Sequence, residues 1–158
     1  MPTRKIQTIM TKEVITADPN NTLKEILTKL SEKSISGMPV VDDDNKILGI
    51  ISEKDILKLL KTKSRTLSLV FPSSHALGMT FEESFDHREL KEALKEIQNL
   101  QINQIMNKDV ITVKPSNTIA EAANIMVQHN INRLPVVKKD KLIGIITRGD
   151  IICGLANF

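Results

Sequence analysis

The residues best suited to chemistry in this chain come as two matched pairs, Ser52 with Asp55 and Thr147 with Asp150. In each pair a hydroxyl stands three positions before a carboxylate, directly after an apolar run, "ILGII" or "LIGII". Two chemistries compete for such a pair. A hydroxyl at a helix N-cap with an acid three residues on is a helix start signal, worth about 1 kcal/mol, and the acid also suits the helix dipole. Alternatively, the carboxylate turns outward and accepts hydrogen bonds from two neighbouring hydroxyls, the charge-assisted and stronger kind. Taken alone, the residues favour the start signal. A repeated apolar pattern needs only a repeated core, whereas a repeated polar pair asks for a further reason.

Other chemistries find little here. His75, His87, His129 and Cys153 form no zinc spacing. Asp42, Asp43 and Asp44 read as a solvated hairpin tip rather than a cation site. There is no phosphate-binding loop, no nucleophile motif and no acid/base pair, so an enzyme is not expected and no cofactor is required. The chain has 158 residues, 41% apolar and 26% charged, which suits one ordinary domain or two small ones. Its net charge of +3 comes from scattered lysines. The cluster Lys58, Lys61, Lys63 and Arg65 reads as a solvated helix end. Without Trp or Tyr there is no stacking platform, and nucleic acid is not an expected partner. No apolar stretch reaches membrane length, "MPTRKIQTIM" lacks the middle of a signal peptide, and Cys153 is the single cysteine. Together these point to the cytoplasm and to no membrane.

The elements that position the two pairs are themselves duplicated. Shifted by 96 residues, Ile6–Val41 aligns with Ile102–Val137, and 15 of those 36 positions are identical. After a one-residue deletion in "DDDNK" against "KKDK" the shift becomes 95. Gly49, Ile50, Ile51, Asp55 and Ile56 then match Gly144, Ile145, Ile146, Asp150 and Ile151. A hairpin turn tolerates such a deletion. Each copy predicts the same series. "VIT" at Val14–Thr16 and Val110–Thr112 reads as a short strand stopped by Pro19 or Pro115. "TLKE" and "TIAE" are capping boxes, followed at helical spacing by Leu23, Ile26, Leu27 and Leu30, or by Ile119, Ala122, Ala123 and Met126. "MPVV" with "ILGIIS", and "LPVV" with "LIGIIT", read as strand pairs covered on both faces. A closing helix begins at Ser52 or Thr147. The fold class is α/β (α+β), two βαββα repeats.

The boundaries are therefore repeat 1 at residues 6–61, an insertion at 62–101 and repeat 2 at 102–156. The insertion holds Phe71, Phe81 and Phe85 with His75 and His87. Its last part predicts a helix, started by Asp86 and Glu89, with Leu90, Ala93, Leu94 and Ile97 on one face. Its aromatics are expected to pack over the module, and a partner-docking surface is the sharper alternative.

Two copies of "IM…VITxxP…T…E", then "PVV", then "GII[ST]xxD" resemble the cystathionine β-synthase (CBS) domain, present as a stand-alone tandem pair. The resemblance implies two repeats packed sheet to sheet with pseudo-twofold symmetry, clefts that take adenosine-containing ligands, and further assembly into a homodimer. It also implies roles. Asp55 and Asp150 contact ribose, steadied by Ser52 and Thr147. Thr16 and Thr112, with the backbone at Met38–Pro39 and Leu134–Pro135, hold the adenine, and Ile35 and Ile131 form its apolar wall. "INRLPVV" is similar to the "IHRLPVV" of nucleotide-sensing members, the gamma subunit of AMP-activated kinase among them. Arg133 then matches a phosphate-binding arginine, with Asn132 in place of the histidine. Repeat 1 has Gly37 where Arg133 stands, and Glu53 and Lys54 face Arg148 and Gly149. Arginine offers a planar fork to phosphate whereas Glu53 repels it, so the two halves are not equivalent.

The resulting expectation is a regulatory module that senses AMP, ADP or ATP and signals to an effector protein. Three alternatives stand beside it: an S-adenosylmethionine or methylthioadenosine binder, a ligand-free docking scaffold, and a nucleic-acid binder using the lysines after Lys58.

Overall fold

A computed structural model of the chain describes residues 4–62 and 87–156. Phe71, Phe81, Phe85, His75, Asp86, Lys63 and Arg65 lie outside the described residues, and with them the expectation for the insertion's aromatics.

Helices α1 (Leu23–Lys33) and α4 (Ile119–His129) begin where the two capping boxes put them. The Thr22 hydroxyl accepts from the Glu25 N–H at 3.3 Å, and Glu25 Oε2 accepts from the Thr22 N–H at 2.7 Å. Thr118 and Glu121 repeat this at 3.2 and 2.7 Å. Asn21 and Asn117 add a second tie, donating to the same carboxylates at 3.3 and 3.0 Å. The backbone N–H of each capping threonine is the main reason both glutamates are held below their ordinary carboxyl value. Each helix stops at a left-handed residue, Ser34 (φ 52°) or Asn130 (φ 51°). The following Ile35 and Ile131 donate back to Leu30 O at 3.1 Å and Met126 O at 3.0 Å. Leu23, Ile26 and Leu30 are buried, as are Ile119, Ala122 and Met126. Leu27, expected on the same face, sits at its edge and is 40% exposed.

Strands β1 (Gly37–Val41) and β2 (Ile47–Ser52) form one two-stranded sheet, and β3 (Arg133–Lys138) and β4 (Lys141–Thr147) another. Their turns explain the deletion. The β3–β4 pairing closes at Lys138 and Lys141, leaving Lys139 and Asp140 with φ of 51° and 62°, a primed two-residue turn. In the first copy Asp42 N–H bonds Lys46 O at 3.0 Å, leaving three loop residues that end on left-handed Asn45. The Asp42 carboxylate accepts from the N–H groups of Asp44 at 3.0 Å and Lys46 at 2.9 Å, so this acid caps its own turn.

The strands expected at Val14–Thr16 and Val110–Thr112 do not form. Only the next residue, Ala17 or Val113, makes a one-residue parallel bridge, to Val40 or Val136. Ala17 bonds Pro39 O and the Val41 N–H, and the chain then turns at Pro19, which has no N–H to extend a ladder. Helices α2 (Glu53–Thr62) and α5 (Arg148–Ala156) close the repeats, starting directly after Ser52 and Thr147. The insertion's helix α3 spans His87–Gln98, with Ile97 buried and Leu94 at 40% exposure.

Two compact units result, and each is discontinuous in sequence. One draws on residues 4–17, 38–50 and 108–156; the other draws on 18–37, 51–62 and 87–107. In the first, Ile6, Val113, Ile119, Ala122, Met126, Leu134, Val136, Ile146 and Ile151 form the core, with Ile9 and Met10 packed on it. Ile6 N–H bonds Asn117 O at 2.8 Å, and Thr11 and Ile145 exchange both backbone bonds at 2.9 Å. A Cβ on Gly144 would lie 2.6 Å from Met10 Sδ and 3.1 Å from Thr11 O, so this approach needs glycine. The loop residue Asn45 also reaches β4, donating from Nδ2 to Leu142 O at 2.7 Å and accepting from the Leu142 N–H at 3.0 Å. In the second unit Ile102 plays the part of Ile6: it is fully buried and bonds Asn21 O at 2.9 Å. The opening segment of each repeat thus packs at the start of the other repeat's first helix.

Candidate functional site

The most complete set of candidate residues lies on one hairpin and the helix after it. Arg133 and Thr147 are directly paired across β3 and β4, so their side chains leave the same face of the sheet. Both are half-buried. The next residue, Arg148, opens α5 and is exposed; its N–H bonds the carbonyl of exposed Asn132 at 2.9 Å. Thr112 is exposed and precedes Val113, which bonds Pro135 O at 3.0 Å, so it flanks the same hairpin. Ile131 is half-buried, one residue past the left-handed cap. Leu134 and Pro135 are fully buried, so their side chains belong to the core and only their backbone can face a ligand.

The polar pair at this helix start is a true cap. Asp150 Oδ2 accepts from the Thr147 N–H at 2.7 Å and the Thr147 hydroxyl at 2.8 Å. In return the Asp150 N–H donates to the Thr147 hydroxyl at 3.3 Å. Ser52 and Asp55 repeat the arrangement, with both bonds on Asp55 Oδ2 at 2.9 and 2.8 Å. Each cap uses a single carboxylate oxygen. Among the described residues, Oδ1 of Asp55 and Oδ1 of Asp150 take no hydrogen bond. A cap of this kind does not exclude a further contact: Oδ2 fixes the carboxylate in place, and the lone pairs of Oδ1 are not used by the cap.

Around the first pair the surroundings differ. Gly37, Met38 and Pro39 are buried, and Thr16 and Ile35 are half-buried. Glu53 and Lys54 are exposed in the first turn of α2, with the Glu53 N–H bonded to Ser36 O at 2.9 Å. No side chain extends from position 37 where Arg133 stands in the other copy. The anchoring carbonyls of Ser36 and Asn132 carried no signal of their own in the sequence, since any residue supplies a carbonyl. Among the described residues no group of His, Cys, Asp or Glu could hold a metal ion, and no helix is long and apolar enough to cross a membrane.

Residues 6–62 and 102–157 each match the family model described as the CBS domain. The chain belongs to the CBS-domain family. This CBS pair is 38% identical over 149 residues to the uncharacterized protein MJ1426 of Methanocaldococcus jannaschii, covering 93% of this chain and 88% of that protein. It is 30% identical over 137 residues to chloroplastic CBSX2 of Arabidopsis thaliana, of which it spans 55%. The crystal structure of CBSX2 in complex with AMP aligns with a TM-score of 0.70 at 24% identity, over 97% of this chain and 96% of that one. The CBS domain pair of protein MJ0100, in complex with 5′-methylthioadenosine and S-adenosyl-L-methionine, aligns with a TM-score of 0.69 at 25% identity, over 99% and 98%. These likenesses bear out the α/β fold and the tandem pair. CBS pairs are regulatory ligand-binding modules, and adenosine compounds occupy two of these relatives.

Proposed function

We propose that this CBS pair senses an adenine nucleotide, AMP, ADP or ATP, and reports it to an effector protein in the cytoplasm. The observation that supports this most is the half-used carboxylate of Asp150 beside the Arg133–Thr147 pair. Oδ1 of Asp150 is held ready for ribose hydroxyls, and Arg133 supplies the fork that phosphate oxygens prefer over a point charge. Thr112, which flanks the hairpin, and the backbone at Leu134–Pro135 would receive the base. The half built on Ser52 and Asp55 keeps the ribose acceptor but has Gly37 and Glu53 in place of arginines. That difference favours a second reading there, a ligand with an uncharged or cationic tail such as methylthioadenosine or S-adenosylmethionine.

Calorimetry with adenosine and ATP on the native chain and on Arg133→Ala tests the reading. Loss of the guanidinium removes charge-assisted bonds worth about 1.5–3 kcal/mol, so ATP affinity should fall about ten- to a hundredfold. Adenosine, which has no phosphate, should bind as before. Equal weakening of both ligands would remove the phosphate role from Arg133, and absence of binding by every adenosine compound would leave the docking scaffold as the better account.

A further inference from the structure

The pairing of β3 with β4 contains a step in register. Arg133 faces Thr147, and the pairs run on to Val136 and Gly144, but Val137 then faces Leu142. Ile143 is therefore an extra residue on β4, a bulge. Had the register nearest the turn, Val137 with Leu142, continued unbroken, Arg133 would face buried Ile146 instead of Thr147. A slip of one residue exchanges the faces of a strand. The meeting of Arg133 with Thr147 thus depends on where the bulge is held.

Two contacts from the first repeat grip β4 on either side of Ile143. On the site's side, Thr11 and Ile145 exchange both backbone bonds at 2.9 Å. On the turn's side, Asn45 donates from Nδ2 to the Leu142 carbonyl at 2.7 Å and accepts from the Leu142 N–H at 3.0 Å. The longer first turn supplies this grip, since it ends on left-handed Asn45 (φ 62°). Among the described residues, no bond from Lys139 or Asp140 of the shorter turn reaches β2 in return. Glycine suits a left-handed backbone at least as well, so the turn alone does not require an amide side chain at position 45. We propose that Asn45 is a positioning residue for the nucleotide site: by fixing Leu142 it pins the bulge at Ile143 and keeps Arg133 opposite Thr147. The first repeat thereby sets the phosphate selectivity of a site built on the second. The selectivity rests on the adenine-nucleotide reading; the pinned register does not.

Asn45→Gly is the test, because glycine keeps the turn and the carbonyl that binds the Leu142 N–H and removes only the amide. In calorimetry the preference for ATP over adenosine should fall by about two- to tenfold, the worth of one hydrogen bond. Adenosine affinity should stay near the native value, since Thr147 and Asp150 keep their cap. Combined with Arg133→Ala, the loss should be smaller than the sum of the separate losses, because the guanidinium is already displaced. A change that only loosens the fold would weaken both ligands alike and add in full to Arg133→Ala, and that result overturns the assignment. So does a native ATP preference in the variant. Nuclear Overhauser contacts read the register without ligand: the native chain should show Arg133 against Thr147, and the variant should add Arg133 against Ile146. An unchanged pattern refutes the pinning whatever binds. If the native chain binds no adenosine compound, the nucleotide reading fails and this pattern still decides the role of Asn45. Should Asn45→Gly fail to fold, Asn45→Asp, which tolerates the turn but cannot donate, carries the same expectations.

Discussion

Replacing Asp150 by Asn separates the cap duty of that carboxylate from the proposed ribose contact. In the native chain Oδ2 takes two short bonds, 2.7 Å from the Thr147 N–H and 2.8 Å from its hydroxyl, while Oδ1 takes none. Asparagine keeps one carbonyl oxygen, and that oxygen can occupy the Oδ2 position. The cap therefore survives without its charge, at a cost of about 1 kcal/mol or less. The ligand side loses more. Where the proposed reading has Oδ1 offer charged lone pairs to two ribose hydroxyls, the variant presents an NH2 group, which cannot accept. The lost pair of charge-assisted bonds is worth about 1.5–3 kcal/mol, or about ten- to a hundredfold in dissociation constant. Because every adenosine compound carries the ribose, adenosine and ATP should weaken alike, unlike the phosphate-selective effect of Arg133→Ala. Isothermal calorimetry with both ligands, beside a melting curve, reads both quantities on one preparation. If Asp150→Asn lowers only the melting temperature and leaves both affinities at the native value, Asp150 is a helix cap and nothing more.

Three further outcomes follow from the same geometry. Calorimetry with AMP or ATP should show one site or two of clearly unequal affinity, because the first copy has Gly37 and Glu53 at the repeat positions of Arg133 and Arg148; two identical independent sites would contradict the inequality. Gly144→Ala should destabilise the fold by about 1–3 kcal/mol in chemical denaturation, since the added carbon meets the Thr11 carbonyl at 3.1 Å as well as the movable Met10 sulfur; an unchanged midpoint would refute that packing. Glu25 and Glu121 titrate below their ordinary value of 4.5 when folded, so their capping contribution is complete above that pH and is lost as pH falls through the lowered value. The stability gap between the native chain and Glu25→Gln/Glu121→Gln should therefore close in acid, and a gap that persists there would place its origin elsewhere.

What could be read from sequence was local. The capping boxes at Thr22 and Thr118, the helix starts after Ser52 and Thr147, and the one-residue difference between hairpin turns all depend on neighbours within five residues, and all stand as expected. The failure at Val14–Thr16 and Val110–Thr112 is of the opposite kind. β-branched residues in a run favour a strand, but a strand also needs a long enough partner edge, and the proline two or three residues on leaves room for one bridging residue. For the site, residue types announced the Asp and Arg groups. That Oδ2 alone takes the cap bonds did not show, because it depends on which way a carboxylate turns. Nor did the place of Ile6, whose partner Asn117 is remote in sequence and carries no complementary mark.

That last contact has a consequence during synthesis. Ile6, Ile9 and Met10 are made well before Ile146 and Ile151, which finish the core that receives them. At about 5–20 residues per second, this apolar segment waits on the order of ten to thirty seconds without its partners. The first repeat's helix waits about half as long, on the order of four to fifteen seconds, because Leu23 needs only Leu100 and Ile102. The order of completion is therefore inverted relative to the order of translation. Of these two contacts the one begun earlier closes later, so Ile6, Ile9 and Met10 stay longer without their partners.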